Sequence, residues 1–193
     1  MSENLLMKEK LLKIFFKKEL CEIEDKYCQK ILEYENENKL IKLQSHEESK
    51  VVDNIFQLLP NSVIIGVGRN KSGIKLFSIL DNNSILLYGG RYKSSSLLPR
   101  INFLINCKEV GNISKRYIKI VDIIMIDRNR GNGTQAMKAL IKYAKNNDID
   151  WIEGEISIVD IDHIDYLINF YKKFGFKING MNIILELLNV RDY

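Results

Sequence analysis

A chain of 193 residues with 46% apolar and 28% charged side chains can bury a sizeable core, and is most economically one domain with an appendage. Its formal net charge of +4 suits an anionic ligand but falls short of the strongly basic footprint of a dedicated nucleic-acid binder, so nucleic acid is not an expected partner. No apolar run approaches the ~18 residues of a membrane span, and charges of both signs interrupt residues 1–18, so a cytoplasmic protein away from the membrane is expected.

Cys21, Cys28 and Cys107 form no CxxC pair, and only His46 and His163 stand beside them. Neither a disulfide framework nor a metal site is suggested; buried thiols and ordinary polar histidines are expected.

Residues 4–35 hold no glycine or proline, and Leu5, Leu12, Phe15, Phe16, Leu20, Ile23, Tyr27 and Ile31 recur at helical spacing. Such a stripe either meets a partner or a second copy in a homodimer, or packs on its own domain, which is the expectation here. Residues 36–49 are polar, and a second, short helix is predicted over 47–59, stopped by Pro60. The predicted organisation is therefore an N-terminal helical extension, 1–59, followed by a folded domain, 60–193.

After Pro60 come short β-rich runs at 63–67, 74–80, 85–88 and 101–107, separated by turn residues, which predict an antiparallel meander. Gly66, Gly68, Lys71 and Ser72 lack the Gly-Lys-Ser order of a P-loop and read as a turn. A strand at 117–126, a helix at 133–146 and a strand at 151–158 make a right-handed βαβ unit. Asp160 and Asp162 offer caps for a further helix containing Leu167, Phe170 and Tyr171 and ending at Gly175. Asn179-Gly180 then reads as the two-residue turn of a hairpin between 176–178 and 181–188.

The chemistry concentrates where the first strand of the βαβ unit enters its helix. Asp-Arg-Asn-Arg-Gly-Asn-Gly-Thr at 127–134 places two glycines at a helix start, where bare backbone N–H groups and the helix dipole attract an anion. Arg128 and Arg130 can add charge-assisted contacts to it. Gly131-x-Gly133-x-x-Ala136 also satisfies the dinucleotide fingerprint, with Glu153 near the place of a ribose-binding acid. Against that reading, Asp127 to Arg130 separate the strand from the turn, and too few residues follow for a doubly wound sheet.

Arg128-x-x-Gly131-x-Gly133, followed by Met-Lys-Ala-Leu-Ile-Lys-Tyr-Ala-Lys at 137–145, resembles the acyl-CoA signature (Q/R)-x-x-G-x-(G/A) of the GNAT acyltransferases, the Gcn5-related N-acetyltransferases. Phe-Tyr-Lys-Lys-Phe-Gly-Phe at 170–176 resembles that family's later Y-x-K-x-G-F block. The resemblance spans about residues 117–188. It implies an α/β (α+β) fold: a mixed, mostly antiparallel central sheet with flanking helices and a central βαβ acyl-CoA site. It also implies acetyl-CoA as co-substrate, with direct acetyl transfer to a primary amine of an unidentified acceptor. Arg130-Gly131-Asn132-Gly133 offers a second register for the motif, so either arginine can take the phosphate-side position.

On that resemblance Ile124, Met125 and Ile126 offer backbone hydrogen bonds to the pantetheine arm, and Arg128, Arg130, Gly131, Asn132, Gly133 and Thr134 hold the pyrophosphate. Tyr171 matches the tyrosine general acid, since a phenol with pKa about 10 stays protonated at neutral pH. For the base, Glu155 is the first candidate and Asp122 the second, both on strands beside the cleft, with His163 also available. A non-catalytic acyl-CoA-binding or protein-interaction module is the alternative.

Overall fold

The structure is a computed structural model that describes residues 8, 16–94, 97–111, 113–127, 129–157 and 164–187. The chain divides into two compact units, Met1–Asp53 and Asn54–Tyr193.

In the first unit one continuous helix replaces the predicted pair. Helix α1, Lys17–Leu58, runs for 42 residues. The polar stretch 36–49, read as a break, contains neither glycine nor proline, and its Glu, Lys, Leu and Gln are strong helix formers. Of the stripe expected to pack on its own domain, Phe16, Ile23, Tyr27 and Ile31 are exposed, and Leu5, Leu12 and Phe15 lie outside the described residues. Cys21 and Cys28 on this helix and Cys107 on a strand are exposed free thiols, contrary to the burial expected of them.

The second unit holds the last turn of α1, where Ile55 is fully buried, and a single eight-stranded sheet. Its strands are β1 (Val63–Arg69), β2 (Lys75–Asp81), β3 (Ser84–Tyr88), β4 (Arg100–Val110), β5 (Ile113–Ile124), β6 (Trp151–Glu155), β7 (Lys177–Asn179) and β8 (Asn182–Glu186). They lie in the order β1-β2-β3-β4-β5-β6-β8-β7. Every neighbouring pair is antiparallel except β5 and β6, which are parallel and joined by helix α2, Asn132–Asn146. The fold is thus mixed α/β with a mostly antiparallel sheet, and the doubly wound parallel sheet of a dinucleotide fold is absent among the described residues.

Helix α2 buries Ala136, Met137, Ala139, Leu140 and Ala144, an i, i+3, i+4 stripe that faces the sheet. Burying Met137 and Leu140 completely stabilises by about 2 kcal/mol each. The Phe103 ring of β4 meets Tyr143 of α2 at 5.8 Å, so α2 covers the sheet face that carries Phe103, Ile118 and Ile120. Helix α3, Ile164–Lys172, packs beside β7. Its cap candidates Asp160 and Asp162 lie outside the described residues.

The last hairpin turns one residue later than predicted. Asn179 pairs with Asn182, leaving Gly180 and Met181 as the turn, with Gly180 at φ 61°. Positive φ at the first central position alone is the requirement of a II′ turn, and glycine supplies it there.

Two local departures from regular pairing shape the middle of the sheet. Strand β5 pairs with β6 only from Tyr117 opposite Trp151 to Lys119 opposite Glu153. Beyond that point β5 stays with β4 as far as Ile124, while β6 stays with β8 as far as Glu155. The two parallel strands therefore part while each keeps its outer neighbour.

The second departure is a bulge. Ile120 faces Phe103 and Asp122 faces Asn102, so Val121 is the extra residue in β5. Val121 and Asp122 are both exposed, where strict alternation would send Asp122 to the buried face of Ile118 and Ile120. The bulge instead turns the Asp122 carboxylate to the face that carries Lys119, Glu153 and Glu155.

Candidate active site

A cleft of about 560 Å³ opens where β5 and β6 part. Ile120, Asp122, Ile123 and Met125 form one wall, Glu155, Ile156 and Ser157 the other, and Gly131 to Thr134 close one end. Leu167, Phe170 and Tyr171 of α3 complete it. Its size and its mixture of apolar walls with a few polar groups suit a small-molecule site.

The closed end is the start of α2. Gly131, the N-cap, sits at φ 83°, and no side chain caps the helix. The N–H of Gln135 bonds back to Gly131 O at 3.1 Å, so the N–H groups ahead of it carry no intrahelical bond. A Cβ at Gly133 would stand 3.4 Å from the Phe170 ring and 3.7 Å from Met125 Cγ, so glycine lets three elements converge there. Beside the cleft, on β6, a Cβ at Gly154 would meet Ile120 and Ile183 at 3.3 Å or less, so glycine lets β5 and β8 side chains close over β6.

The loop into α2 is held by a polar network that sequence reasoning missed. Asn132, 2% exposed, donates through Nδ2 to Tyr92 Oη at 2.8 Å and to Ile126 O at 3.2 Å, and accepts at Oδ1 from Asn70 Nδ2 at 3.2 Å. The Tyr92 hydroxyl donates to Asp127 Oδ2 at 2.6 Å, and Arg91 forms an ion pair with the same carboxylate. Asn70 Oδ1 in turn accepts from the N–H groups of Ser72 and Ile74, each at 3.0 Å. The Tyr92 hydroxyl, and after it the Arg91 guanidinium, hold the Asp127 carboxyl below its ordinary range against an opposing effect of desolvation. Asp127 and Asn129, at φ 61° and 67°, take the left-handed turn that Asp and Asn tolerate best.

No family model matches the chain, and no curated protein does. Among solved structures, a tyrosine-to-phenylalanine mutant of the AtaT toxin, bound to the C-terminus of the antitoxin AtaR and acetyl-CoA, is 11% identical. It superposes with a TM-score of 0.37 over 58% of this chain and 68% of that one. The same toxin mutant with AtaR alone gives 13% identity and a TM-score of 0.39, with the same 58% and 68% covered. A mutant of the BH1408 protein from Bacillus halodurans is 19% identical, with a TM-score of 0.39 over 55% of this chain and 68% of that one. At so low a likeness the chemistry of the cleft has to be read from its own residues.

The structure brings Asp122, Met125, Gly131, Asn132, Gly133, Thr134, Glu155 and Tyr171 to one cleft. Ile124 closes the ladder with β4 opposite Arg100, and Ile126 spends its carbonyl on Asn132. Arg130 is exposed, and its carbonyl accepts the N–H of Lys71 at 2.9 Å. Arg128 and His163 lie outside the described residues. Glu153 accepts from Trp151 Nε1 at 2.8 Å, which fixes its carboxylate against the stacked Tyr117 and Trp151 rings. Tyr171 is buried, with its ring edge-on to Phe170 at 5.3 Å and to Phe176 at 5.4 Å.

Proposed function

We propose that this chain is an acetyl-CoA-dependent N-acyltransferase of GNAT type, moving an acetyl group directly to a primary amine of an unidentified acceptor. One observation carries the reading: the parting of β5 from β6 opens onto the uncapped start of α2, with Tyr171 in the same wall. An extended thiol-bearing arm fits between two strands whose facing backbone groups have lost their ladder partners, and its pyrophosphate fits the N–H groups of residues 131–134.

The residues then divide the work. Backbone N–H groups of β5 beyond Lys119 polarise the thioester carbonyl as charge gathers on its oxygen. The amine nitrogen attacks the carbonyl carbon, a C–N bond forms and the C–S bond breaks. Glu155 or Asp122 takes the proton the amine sheds, directly or through water, and the Tyr171 hydroxyl donates one to the departing sulfur. Asp122, turned by the Val121 bulge to the face of Glu153 and Glu155, joins them in favouring a cationic acceptor over an anionic one.

Acetyl-CoA at 100 times its Kd should raise the unfolding free energy by about 2.7 kcal/mol, read as a higher Tm. Incubation with polyamines, amino acids, aminoglycosides and peptides should release free CoA thiol with at least one of them. No thermal shift removes the reading. A shift without any transfer favours the second reading, an acyl-CoA-binding or interaction module, for which the exposed apolar stripe of α1 speaks.

A further inference from the structure

We propose that the turn between β1 and β2 is a third wall of the phosphate site, and that Lys71 binds the pyrophosphate of the acyl-CoA. This rests on the acyl-CoA reading of the cleft and adds a residue sixty positions away from the glycine motif. The turn reads from sequence as a simple hairpin connection, yet Lys71 lines the cleft together with Gly131, Asn132 and Gly133.

Three contacts fix the turn there. The Lys71 N–H donates to Arg130 O at 2.9 Å, joining the turn to the glycine loop through backbone. Asn70 Nδ2 donates to the buried Asn132 side chain at 3.2 Å. The third contact is steric: a Cβ on Gly131 would stand 3.0 Å from Lys71 Cγ, so the lysine stem lies against the N-cap residue itself. An ammonium at the end of that stem reaches the space in front of the same N–H groups that would hold the anion.

Charge supports the assignment. Among the described residues no carboxylate lies within ion-pair range of Lys71, and Asp127, the cleft acid on the loop into α2, is engaged by Arg91 and Tyr92. The Lys71 ammonium thus meets no acid ahead of the ligand, and its backbone is fixed by the Arg130 contact. Its carbon chain rests on Gly131, which is the second reason besides φ for glycine at that position.

The experiment compares CoA, dephospho-CoA and pantetheine by calorimetric titration on the full chain carrying Lys71→Ala, Lys71→Gln or Lys71→Arg. Lys71→Ala and Lys71→Gln should weaken CoA and dephospho-CoA alike, by about tenfold, and leave pantetheine unchanged. Lys71→Arg should retain most of the affinity. The side chain is exposed, so the Tm of the free variants should stay within a degree or two of the parent. Equal affinity of parent and Lys71→Ala for CoA overturns the assignment, as does a loss for CoA that spares dephospho-CoA, which would move the contact to the 3′-phosphate. A parent chain that binds neither nucleotide overturns the acyl-CoA reading itself.

Discussion

The Asn132 side-chain amide donates to the phenol oxygen of Tyr92 at 2.8 Å, across forty positions of sequence, and both groups are buried. Tyr92 passes the interaction on to Asp127, so one hydroxyl bridges the first residue of α2 and the turn that precedes it. Tyr92→Phe removes that bridge and strands part of a buried amide. We expect a loss of about 1–2 kcal/mol in urea unfolding, together with weaker CoA binding and an unchanged affinity for pantetheine. Wild-type stability in Tyr92→Phe would mean the network is decorative.

Gly131→Ala should cost more than its single methyl suggests. Holding an L-residue at φ 83° costs about 1–2 kcal/mol, and the new Cβ presses on the Lys71 stem at 3.0 Å. Urea unfolding checks the first effect and CoA titration the second.

Tyr171→Phe keeps the ring packing with Phe170 and Phe176 and removes only the hydroxyl. Turnover should fall about a hundredfold or more while the CoA Kd moves less than about twofold, because a proton donor acts on the leaving sulfur and not on binding. Turnover equal to wild type takes Tyr171 out of the acid role.

Two carboxylates compete for the base. Glu155→Gln and Asp122→Asn should differ: the variant that loses the base loses kcat and the acidic limb of the pH–rate profile, and the other changes chiefly the KM of a cationic acceptor. Both sit at exposed strand positions, so neither substitution should lower Tm appreciably.

Asp127 sets an acid limit to stability. Its folded pKa lies below the ordinary 3.8, so the carboxylate contributes fully above that value, and the contribution disappears as pH falls through the lowered folded pKa. Arg91 stays charged throughout, its own pKa raised by hydrogen bonds to Tyr92 and Asp127. Asp127→Asn should therefore lower Tm at pH 6 while reducing the further drop between pH 4 and 2.

Much of the sheet was legible because its strands obey local rules: turn residues punctuate the meander, and an uninterrupted apolar run enters the glycine loop. The cleft was legible from a motif whose glycines have physical work to do. Three things were not. Long-range polar partners such as Asn70 and Tyr92 leave no periodicity, since their meaning depends on a loop far away in sequence. The continuity of α1 was misread because polar composition suggested a break where no breaker residue exists. The Val121 bulge was invisible because nothing in the run at 121–124 marks an extra residue.

That bulge makes the chain unequally sensitive to length. Removing Val121 would place Asp122 directly after Ile120 and close the bulge, restoring strict alternation with Asp122 still on the outer face beside Lys119 and Ile123 still inward. A single in-frame codon deletion there would cost the bulge alone, and an insertion at the exposed Gly111 tip of β4–β5 should pass unnoticed, whereas a deletion in the middle of the regular β2–β3 ladder would turn the strand beyond it to the other face. Mutational scanning by deletion, rather than by substitution, would therefore mark Val121 as the strand position at which a residue can be lost.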